Sequence, residues 1–328
     1  MPRTGAGALT TRPVSRSDPA SIASCGCASE MRRACDLCAD AGALLVACSL
    51  ACLDRHLLAE HGADPRAREN SEARARTRLA GINRRLAGNR ERYHEHRQQV
   101  TALALAAETT SAFGGSARDI VIFGAGNGSD LDLPRMADSF REIHLVDLDA
   151  EALERARQAL PSALRARVIP HAPLDLSGFM SRLDEWGDGF PDDATLGSTA
   201  FAAARAIVAA LGRDFDVVLS TGALSQLIVP FHRCWVAPRA SWERLEAAIV
   251  AVHLATLVLS TRPGGRGVLA FDVPSLQDPL PLALLAQLQL PGMASLVQEP
   301  QLTSPWSWDV GDAVQLVYGL SFRRSTNG

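Results

Sequence analysis

Residues 119–130 read DIVIFGAGNGSD, and this stretch decides the fold class of the chain. The run at residues 120–123 is short, apolar and partly β-branched, and it stops at a glycine, which predicts a buried strand that runs into a turn. Gly124, Gly126 and Gly128 follow at alternate positions, and residues without a β-carbon let the backbone approach a ligand closely. The stretch therefore predicts the ligand-binding turn of an α/β sheet.

A second strand is predicted at residues 143–146, and it ends in an acid, Asp147. At the tip of a strand beside a glycine turn, that carboxylate can accept hydrogen bonds from both hydroxyls of a ribose. The two features together predict the nucleoside-binding half of a Rossmann-like sheet. Asp149 is predicted to cap the next helix instead.

The spacing of the glycines separates two classes of cofactor. A dinucleotide fold has the pattern G-x-G-x-x-G/A, whereas here the pattern is G-x-G-x-G, with Ser129 in place of the third small residue. The spacing and its flanks resemble class I S-adenosylmethionine (SAM) dependent methyltransferases. This resemblance implies that Gly124, Gly126 and Gly128 line the methionine end of SAM and that Asp147 holds its ribose.

One position departs from the pattern of that family. The family often has an acid two residues before the first glycine, where this chain has Ile122. Asp130 and Asp132 lie just past the loop and are the candidates to hold the amino group of SAM instead.

The rest of the C-terminal half extends the resemblance over residues 113–328. Apolar runs predict further strands and one long helix; the strands lie at residues 167–170, 215–219, 268–271, 295–297 and 314–322, and the helix at 242–259. The resemblance implies an α/β class I methyltransferase sheet of seven strands, the last one antiparallel. It also assigns Asp175, which follows the third strand, to the adenine amino group.

Cysteines define a second region near the N-terminus. Six of the seven cysteines and two histidines form close pairs there: Cys25, Cys27, Cys35, Cys38, Cys48, Cys52, His56 and His61. Thiolates and imidazoles at such spacings are zinc ligands, and eight of them are enough for two tetrahedral ions. Residues 25–62 are therefore predicted to form a small two-zinc module. Because residues 1–24 contain no apolar signal segment, we expect zinc and a cytoplasmic protein rather than a disulfide framework.

The segment CSLACLDRH at residues 48–56 resembles HIT-type zinc fingers, with B-box fingers as the alternative. Both types ligate two ions in an interleaved way. The resemblance implies one ion on Cys25, Cys27, Cys48 and Cys52 and the other on Cys35, Cys38, His56 and His61. Sequential pairing stays open, since the first pair has a single intervening residue and the last ligand is His61 where a HIT finger has cysteine.

An arginine-rich stretch joins the two regions. The chain of 328 residues has a formal net charge of −3, yet residues 63–98 hold ten arginines against five acids. Residues 63–112 are predicted to form one or two helices with weak points at Gly81 and Gly88. A solvated connector is favoured over an RNA-binding surface, because charge runs usually face solvent.

The remaining composition limits the class of protein. A hydrophobic content of 47% suits a packed core, and residues 1–24 are predicted to be disordered. The longest apolar candidate, residues 247–259, is interrupted by His253 and is too short for a membrane span, so no membrane partner is expected. His253 itself is predicted to lie in the core.

The methyl acceptor of the family usually lies beyond the fourth strand. His232 is the candidate base in that region, since an imidazole titrates near neutrality. Three functions stay open. A SAM-dependent methyltransferase whose zinc finger recruits or shapes a protein or RNA substrate is favoured, and the arginine-rich helix is the second candidate contact for that substrate. A non-catalytic scaffold and a small-molecule methyltransferase with a structural zinc lid are the alternatives.

Overall fold

The computed structural model describes residues 32–35, 37–38, 46–47, 50–61, 64, 69–109, 118–186, 190–236, 238–311 and 313–326. Its strands are β1 (Arg32–Ala34), β2 (Val46–Ala47), β3 (Arg118–Phe123), β4 (Phe140–Val146), β5 (Val168–His171), β6 (Phe215–Thr221), β7 (Trp235–Val236), β8 (Thr261–Val273), β9 (Val297–Leu302), β10 (Trp306–Asp309) and β11 (Val314–Arg324). Its helices are α1 (Leu50–His61), α2 (Ser71–Leu86), α3 (His94–Thr109), α4 (Leu133–Ser139), α5 (Ala150–Gln158), α6 (Ser162–Arg165), α7 (Arg182–Glu185), α8 (Asp193–Leu211), α9 (Ala223–Cys234), α10 (Arg239–Ser260), α11 (Leu280–Leu288) and α12 (Pro291–Ala294). The disorder predicted for residues 1–24 lies outside the described residues.

The main sheet has the strand order β10-β11-β8-β6-β3-β4-β5, and β9 also pairs with β11. The strands β3, β4, β5, β6 and β8 run parallel, and β11 runs antiparallel to β8. Both β9 and β10 pair antiparallel with β11, β10 along its first part and β9 along its last, so they share one edge position. The sheet therefore has seven positions and an antiparallel last strand, as predicted. The sequence analysis missed β10, a strand of four residues.

Two apolar cores cover the two faces of this sheet. All six residues of β3 are buried, and successive side chains point to opposite faces of a strand. Val121 and Phe123 pack in the core under α8, α10 and α11, whereas Ile120 and Ile122 pack in the core under α3, α4 and α5. This two-sided burial explains why the parallel strands read as continuous apolar runs rather than as alternating ones.

His253 lies on α10 within the first of these cores, as predicted. It has no solvent exposure, and its Nε2 lies 2.8 Å from the hydroxyl of Ser220 at the end of β6. Burial lowers the pKa of His253 to about 4, so the imidazole is neutral at physiological pH.

The expectation that no segment reaches the length of a membrane span is wrong for α8. Among the described helices this one is long and apolar enough to cross a membrane, judged by length and composition only. A single helix of this kind is weak evidence for a membrane, and Leu196, Ala204, Ile207 and Leu211 of α8 belong to the core beside α10.

The arginine-rich stretch forms α2 and α3. The prediction that this stretch is a solvated connector is wrong for the part that packs on the glycine turn. Gly81 lies inside α2, whereas Gly88 follows the end of that helix. Arg97 is buried and donates to the carbonyl oxygen of Ser129 at 3.0 Å. Arg90 donates to the carbonyl oxygen of Gly128 at 3.3 Å. Arg90, between the two helices, and Arg97, on α3, satisfy carbonyl groups of the glycine turn. Ala75 of α2 is buried in the core of the main sheet, so both helices are packed parts of the C-terminal domain.

A second, small sheet has the order β2-β1-β7. Its first two strands belong to the cysteine-rich region, which packs α1 on a core of four buried side chains, Cys35, Leu37, Leu53 and Leu57. Its third strand, β7, directly follows α9 in the C-terminal domain. The sequence analysis predicted neither this sheet nor the connection that it makes.

Candidate functional site

A cleft lies at the carboxyl edge of the parallel strands, where the glycine turn follows β3. It has two adjoining halves of about 470 Å³ each, including space open to solvent, which share Asn83, Gly124, Asp147 and Gln226. The first, which we call the apolar half, is lined by side chains that include Leu79, Leu148, Leu174, Leu176, Met180 and Leu227. The second, the polar half, is lined by residues that include Tyr93, Asn127, Ser129, Asp130, Thr221 and Trp308.

The glycine turn requires glycine at its first position for two reasons. Gly124 has a φ of 73°, in the left-handed region that residues with a side chain rarely adopt. A β-carbon there would lie 2.7 Å from the β-carbon of Ala223 and 3.0 Å from the carbonyl oxygen of Thr221. The turn is thus pressed against the start of α9, which brings its backbone to the edge of the cleft.

Asp147 lies between the two halves of the cleft. Its Oδ2 accepts the N–H of Gly126 at 2.9 Å, and its Oδ1 accepts the N–H of Asp149 at 2.9 Å. These bonds orient the carboxylate, and each oxygen keeps a further lone pair for a ligand hydroxyl. Burial raises the pKa of Asp147 above its ordinary value.

Asp149 caps α5, as predicted, because its carboxylate accepts the N–H of Ala152 at 3.1 Å. It also accepts the side-chain amide of Asn83, on α2, at 3.1 Å. This second bond ties α2 to the strand end that carries Asp147.

Asp175 lines the apolar half and organises the loop that follows it. One oxygen accepts the N–H and the hydroxyl of Ser177, at 2.9 and 2.6 Å, and the other accepts the N–H of Met180 at 2.8 Å. The structure therefore places Asp175 beside Asp147 in one pocket, while its part in holding an adenine amino group stays a prediction.

The two acids past the glycine turn have different surroundings. Asp132 caps α4 by accepting the N–H of Arg135 at 3.3 Å. Asp130 instead lines the polar half, where it accepts the hydroxyl of Thr221 at 2.8 Å. Burial raises the pKa of Asp130 to about 6, because Thr221 is a neutral partner and does not offset the loss of water. Of the two candidates for an amino group, only Asp130 lines the cleft.

One wall of the cleft comes from α2, which the sequence analysis did not place there. Leu79, Asn83 and Leu86 line it, and their spacing of four and three residues puts them on one face of a helix. The side-chain amide of Asn127 in the glycine turn donates to the carbonyl oxygen of Asn83 at 2.6 Å. Leu79 and Leu86 lie two helical turns apart within the arginine-rich run, and this apolar spacing is the sequence signal that could have predicted the wall.

An aromatic group closes the polar half. Trp308 of β10 stacks on His96 with ring centroids 4.4 Å apart, and Tyr93 contacts it edge-on at 5.4 Å. The indole N–H of Trp306 lies 3.1 Å from Nδ1 of His96. Burial lowers the pKa of His96 to about 4, so the ring is neutral and Nδ1 can accept that bond. These contacts fix Trp308 beside the cleft.

The helix α9 supplies the opposite wall. Ala223, Gln226 and Leu227 line the cleft from its first turns, and Phe231 packs in the core. His232 lies in the last turn of α9, but the structure does not describe its side chain, so a catalytic role stays a prediction.

Four predicted ligands come together in the cysteine-rich region: Cys35, Cys38, His56 and His61. Their donor atoms all lie within 4.8 Å of one another, and Sγ of Cys38 lies 3.3 Å from Nε2 of His56 and 3.2 Å from Nε2 of His61. In tetrahedral zinc sites a sulfur and a nitrogen ligand are about 3.5 Å apart, so the donor set fits zinc. Burial raises the pKa of the Cys35 thiol to about 11, and a bound cation would favour the thiolate.

The second predicted set is described only in part. Cys25, Cys27 and Cys48 lie outside the described residues. Cys52 lies on α1, where its sulfur accepts a hydrogen bond from Arg55 at 3.1 Å. A second ion therefore stays a prediction.

Comparisons with known proteins identify no family. No protein-family model matches the chain, and no curated protein sequence matches it. The solved structures that resemble it include an rRNA methylase from Streptococcus thermophilus, with 8% identity, a TM-score of 0.38, and coverage of 68% of this chain and 95% of that one. An N-methyltransferase from Bradyrhizobium japonicum has 12% identity, a TM-score of 0.37, and coverage of 73% and 98%.

The magnesium protoporphyrin IX methyltransferase from Synechocystis, solved with bound SAM, has 13% identity, a TM-score of 0.38, and coverage of 70% and 80%. Likeness at this level carries no argument about the reaction of this chain, so any function has to rest on the cleft itself.

Proposed function

We propose that this protein is a SAM-dependent methyltransferase. The observation that carries the proposal is Asp130, a desolvated carboxylate that lines the polar half and bonds a neutral hydroxyl. The ion pairs that the structure describes do not include it. Burial raises the pKa of this carboxyl and outweighs the charge attraction of Arg97, which lowers it. A buried carboxylate whose charge is not fully compensated favours a cationic ligand, and SAM carries an ammonium group and a sulfonium.

Asp130 and Asp132 disfavour a dinucleotide as the ligand of this cleft. A pyrophosphate needs free N–H groups and positive potential at the start of a helix. Here the helix after the glycine turn, α4, is already capped by Asp132, and Asp130 lies beside the turn. Two carboxylates at this point repel a pyrophosphate and attract an ammonium group.

The cleft offers a binding role for each part of SAM. Asp147 would hold the ribose hydroxyls, Asp175 the adenine amino group, and Asp130 the ammonium group, with the adenine ring among the leucines of the apolar half. When bound, SAM supplies an electrophilic methyl group, and transfer needs mainly an in-line approach of the acceptor. The residues beside that approach are Tyr93 and Trp308 on one side and Gln226 of α9 on the other.

The first test is binding of SAM and of S-adenosylhomocysteine by isothermal titration. Stoichiometric binding supports the proposal, and absence of binding would favour the non-catalytic scaffold. The acceptor is then sought with labelled SAM in fractions of protein, RNA and small molecules. The metal module (residues 25–62) and the exposed arginines of α2 would offer contacts to a protein or RNA acceptor. Loss of labelling after removal of residues 1–62 would show that this module is needed, either to recruit the acceptor or to shape the cleft.

Replacing Asp130 with Asn is expected to weaken SAM binding about 10- to 150-fold at pH 7.5, because a charge-assisted hydrogen bond contributes roughly 1.5–3 kcal/mol. In the wild type, affinity should fall by up to about tenfold per pH unit below pH 6, since the ammonium group binds the ionised carboxylate. Asp130→Asn should lose this pH dependence. Titration calorimetry between pH 5 and 8 measures both effects.

The stability of the unliganded protein should change in the opposite direction. Because the folded-state pKa of Asp130 is raised, ionisation destabilises the fold as pH rises through about 6. Asp130→Asn should therefore melt at a higher temperature at pH 7.5. Asp132→Asn is the matched control and should leave affinity within about twofold, since asparagine also caps helices. Unchanged affinity in Asp130→Asn would remove the main support for SAM.

We also propose that residues 25–62 bind two zinc ions, one of them on Cys35, Cys38, His56 and His61. The described part of this segment buries four side chains in its core. A segment of about 40 residues usually needs a metal or another staple to fold, so metal binding and folding should be coupled. Chelation should unfold this segment while the C-terminal domain keeps a cooperative melt.

Metal analysis of the purified protein tests this stoichiometry. Wild type should contain two zinc ions, and Cys38→Ser should lose one, because the sulfur of Cys38 lies against both histidines. Cys234→Ser, which lies outside both ligand sets, should keep two. A Cys38→Ser variant with full metal content would show that the ligand assignment is wrong.

A further inference from the structure

The metal module is joined to the C-terminal domain by a pair of strands. β1 pairs antiparallel with β7, with Arg32 opposite Val236 and Arg33 opposite Trp235. On its other edge β1 pairs with β2 of the same module. The module thereby forms one sheet with a strand that lies about 200 residues further along the chain.

The strand pair directly adjoins a proposed metal ligand on one side and α9 on the other. Ala34, the last residue of β1, directly precedes the metal ligand Cys35. On the other side, Trp235 begins β7 directly after Cys234 ends α9. One strand pair therefore separates a metal ligand from the helix that lines the cleft.

The two ends of α9 are held differently. At its start, the N–H of Gly222 donates to the carbonyl oxygen of Ala270 at 3.1 Å, and Ser225 donates to Asp272 at 2.9 Å. At its end, α9 contacts β1 and β7. Pro230 lies between and lacks an N–H, so the helix has one backbone bond fewer at that point. Phe231 also packs in the main core, so the end of α9 is held by the strand pair together with this side chain.

We infer that the metal centre of Cys35, Cys38, His56 and His61 holds the last turn of α9, the helix that forms the acceptor side of the cleft. The ion orders β1, β1 holds β7, and β7 directly follows that last turn. The first turns of the same helix carry Gln226 and Leu227, which line the cleft. The term acceptor side depends on the proposed function, whereas the coupling between the metal centre and α9 rests on the strand pairing. This coupling makes the metal module a structural part of the site and not only a flexibly linked module that binds the substrate.

Hydrogen exchange on the full-length protein tests the coupling, with zinc removed by a chelator and then restored. Removal is expected to speed exchange at least tenfold in peptides covering residues 228–236. The glycine turn, residues 119–128, should change less than twofold, and restored zinc should reverse the effect. The affinity for S-adenosylhomocysteine should stay within about threefold, because Asp130 and Asp147 lie on elements away from the strand pair.

A second variant separates metal loss from strand pairing. Val236→Pro blocks the pairing of β7 without touching a ligand, so it should retain zinc, show fast exchange over residues 228–235 and lose the response to chelation. Val236→Thr, which keeps a β-branched strand residue, should behave as wild type.

Two results would overturn the inference. The first is unchanged exchange over residues 228–236 after chelation, which is expected if the metal module is only flexibly linked to the C-terminal domain. The second is equal acceleration in the glycine turn, which indicates general destabilisation. If the protein binds no S-adenosylhomocysteine with or without zinc, the proposed function fails, while zinc-dependent protection of α9 would still establish the coupling.

Discussion

Asp147→Ala is expected to weaken SAM binding about 10- to 150-fold and to lower the melting temperature at the same time. The carboxylate would hold the ribose, and loss of its charged hydrogen bonds removes roughly 1.5–3 kcal/mol, or about 10- to 150-fold in affinity. It also accepts the N–H groups of Gly126 and Asp149, which the variant leaves without this acceptor. A buried unsatisfied donor costs about 1–3 kcal/mol, so the turn itself should loosen.

Titration calorimetry and thermal melts check the two parts of this result. Asp192→Ala is the matched control, because Asp192 caps α8 through the N–H of Thr195 at 2.7 Å and does not line the cleft. It should lower stability by about 1 kcal/mol and leave SAM affinity unchanged. Wild-type affinity in Asp147→Ala would contradict the ribose assignment.

Gly124→Ala is expected to weaken SAM binding more than tenfold even where the protein still folds. The added β-carbon meets Ala223 and the carbonyl oxygen of Thr221, both close to the backbone, so side-chain rotation does not relieve the contact. A left-handed φ in addition costs about 1–2 kcal/mol for a residue with a side chain. The turn must therefore shift relative to the start of α9, and both elements line the cleft.

Gly197→Ala provides the control for this substitution. Gly197 lies in α8, and a β-carbon there has no neighbour within 4 Å. Because alanine favours a helix over glycine by about 1 kcal/mol, this variant should be slightly more stable and should bind SAM as the wild type does. Binding by Gly124→Ala that matches this control would show that the turn does not approach the cofactor.

Features set by neighbouring residues could be predicted from the sequence. The apolar run before Gly124, the acid at the end of the next strand and the cap at Asp149 each depend on residues close in the chain. The antiparallel last strand was implied by the resemblance to class I methyltransferases, and the structure has it. Zinc chemistry limits residue types and spacing, which gave the eight candidate ligands, whereas the grouping of Cys35, Cys38, His56 and His61 was implied by the resemblance to interleaved zinc fingers.

Tertiary structure alone decided which of these parts meet. Asp130 lines the cleft because Thr221, at the end of a strand 91 residues away, bonds it, whereas Asp132 caps a helix. Arg97 of α3 and Arg90, which precedes that helix, lie against the glycine turn because they satisfy its carbonyl groups. The pairing of β1 with β7 joins the metal module to α9. The physical reason is that hydrophobic periodicity and residue spacing report which side chains are buried or which ligands are available, but they do not name the distant backbone or side chain that will be the partner.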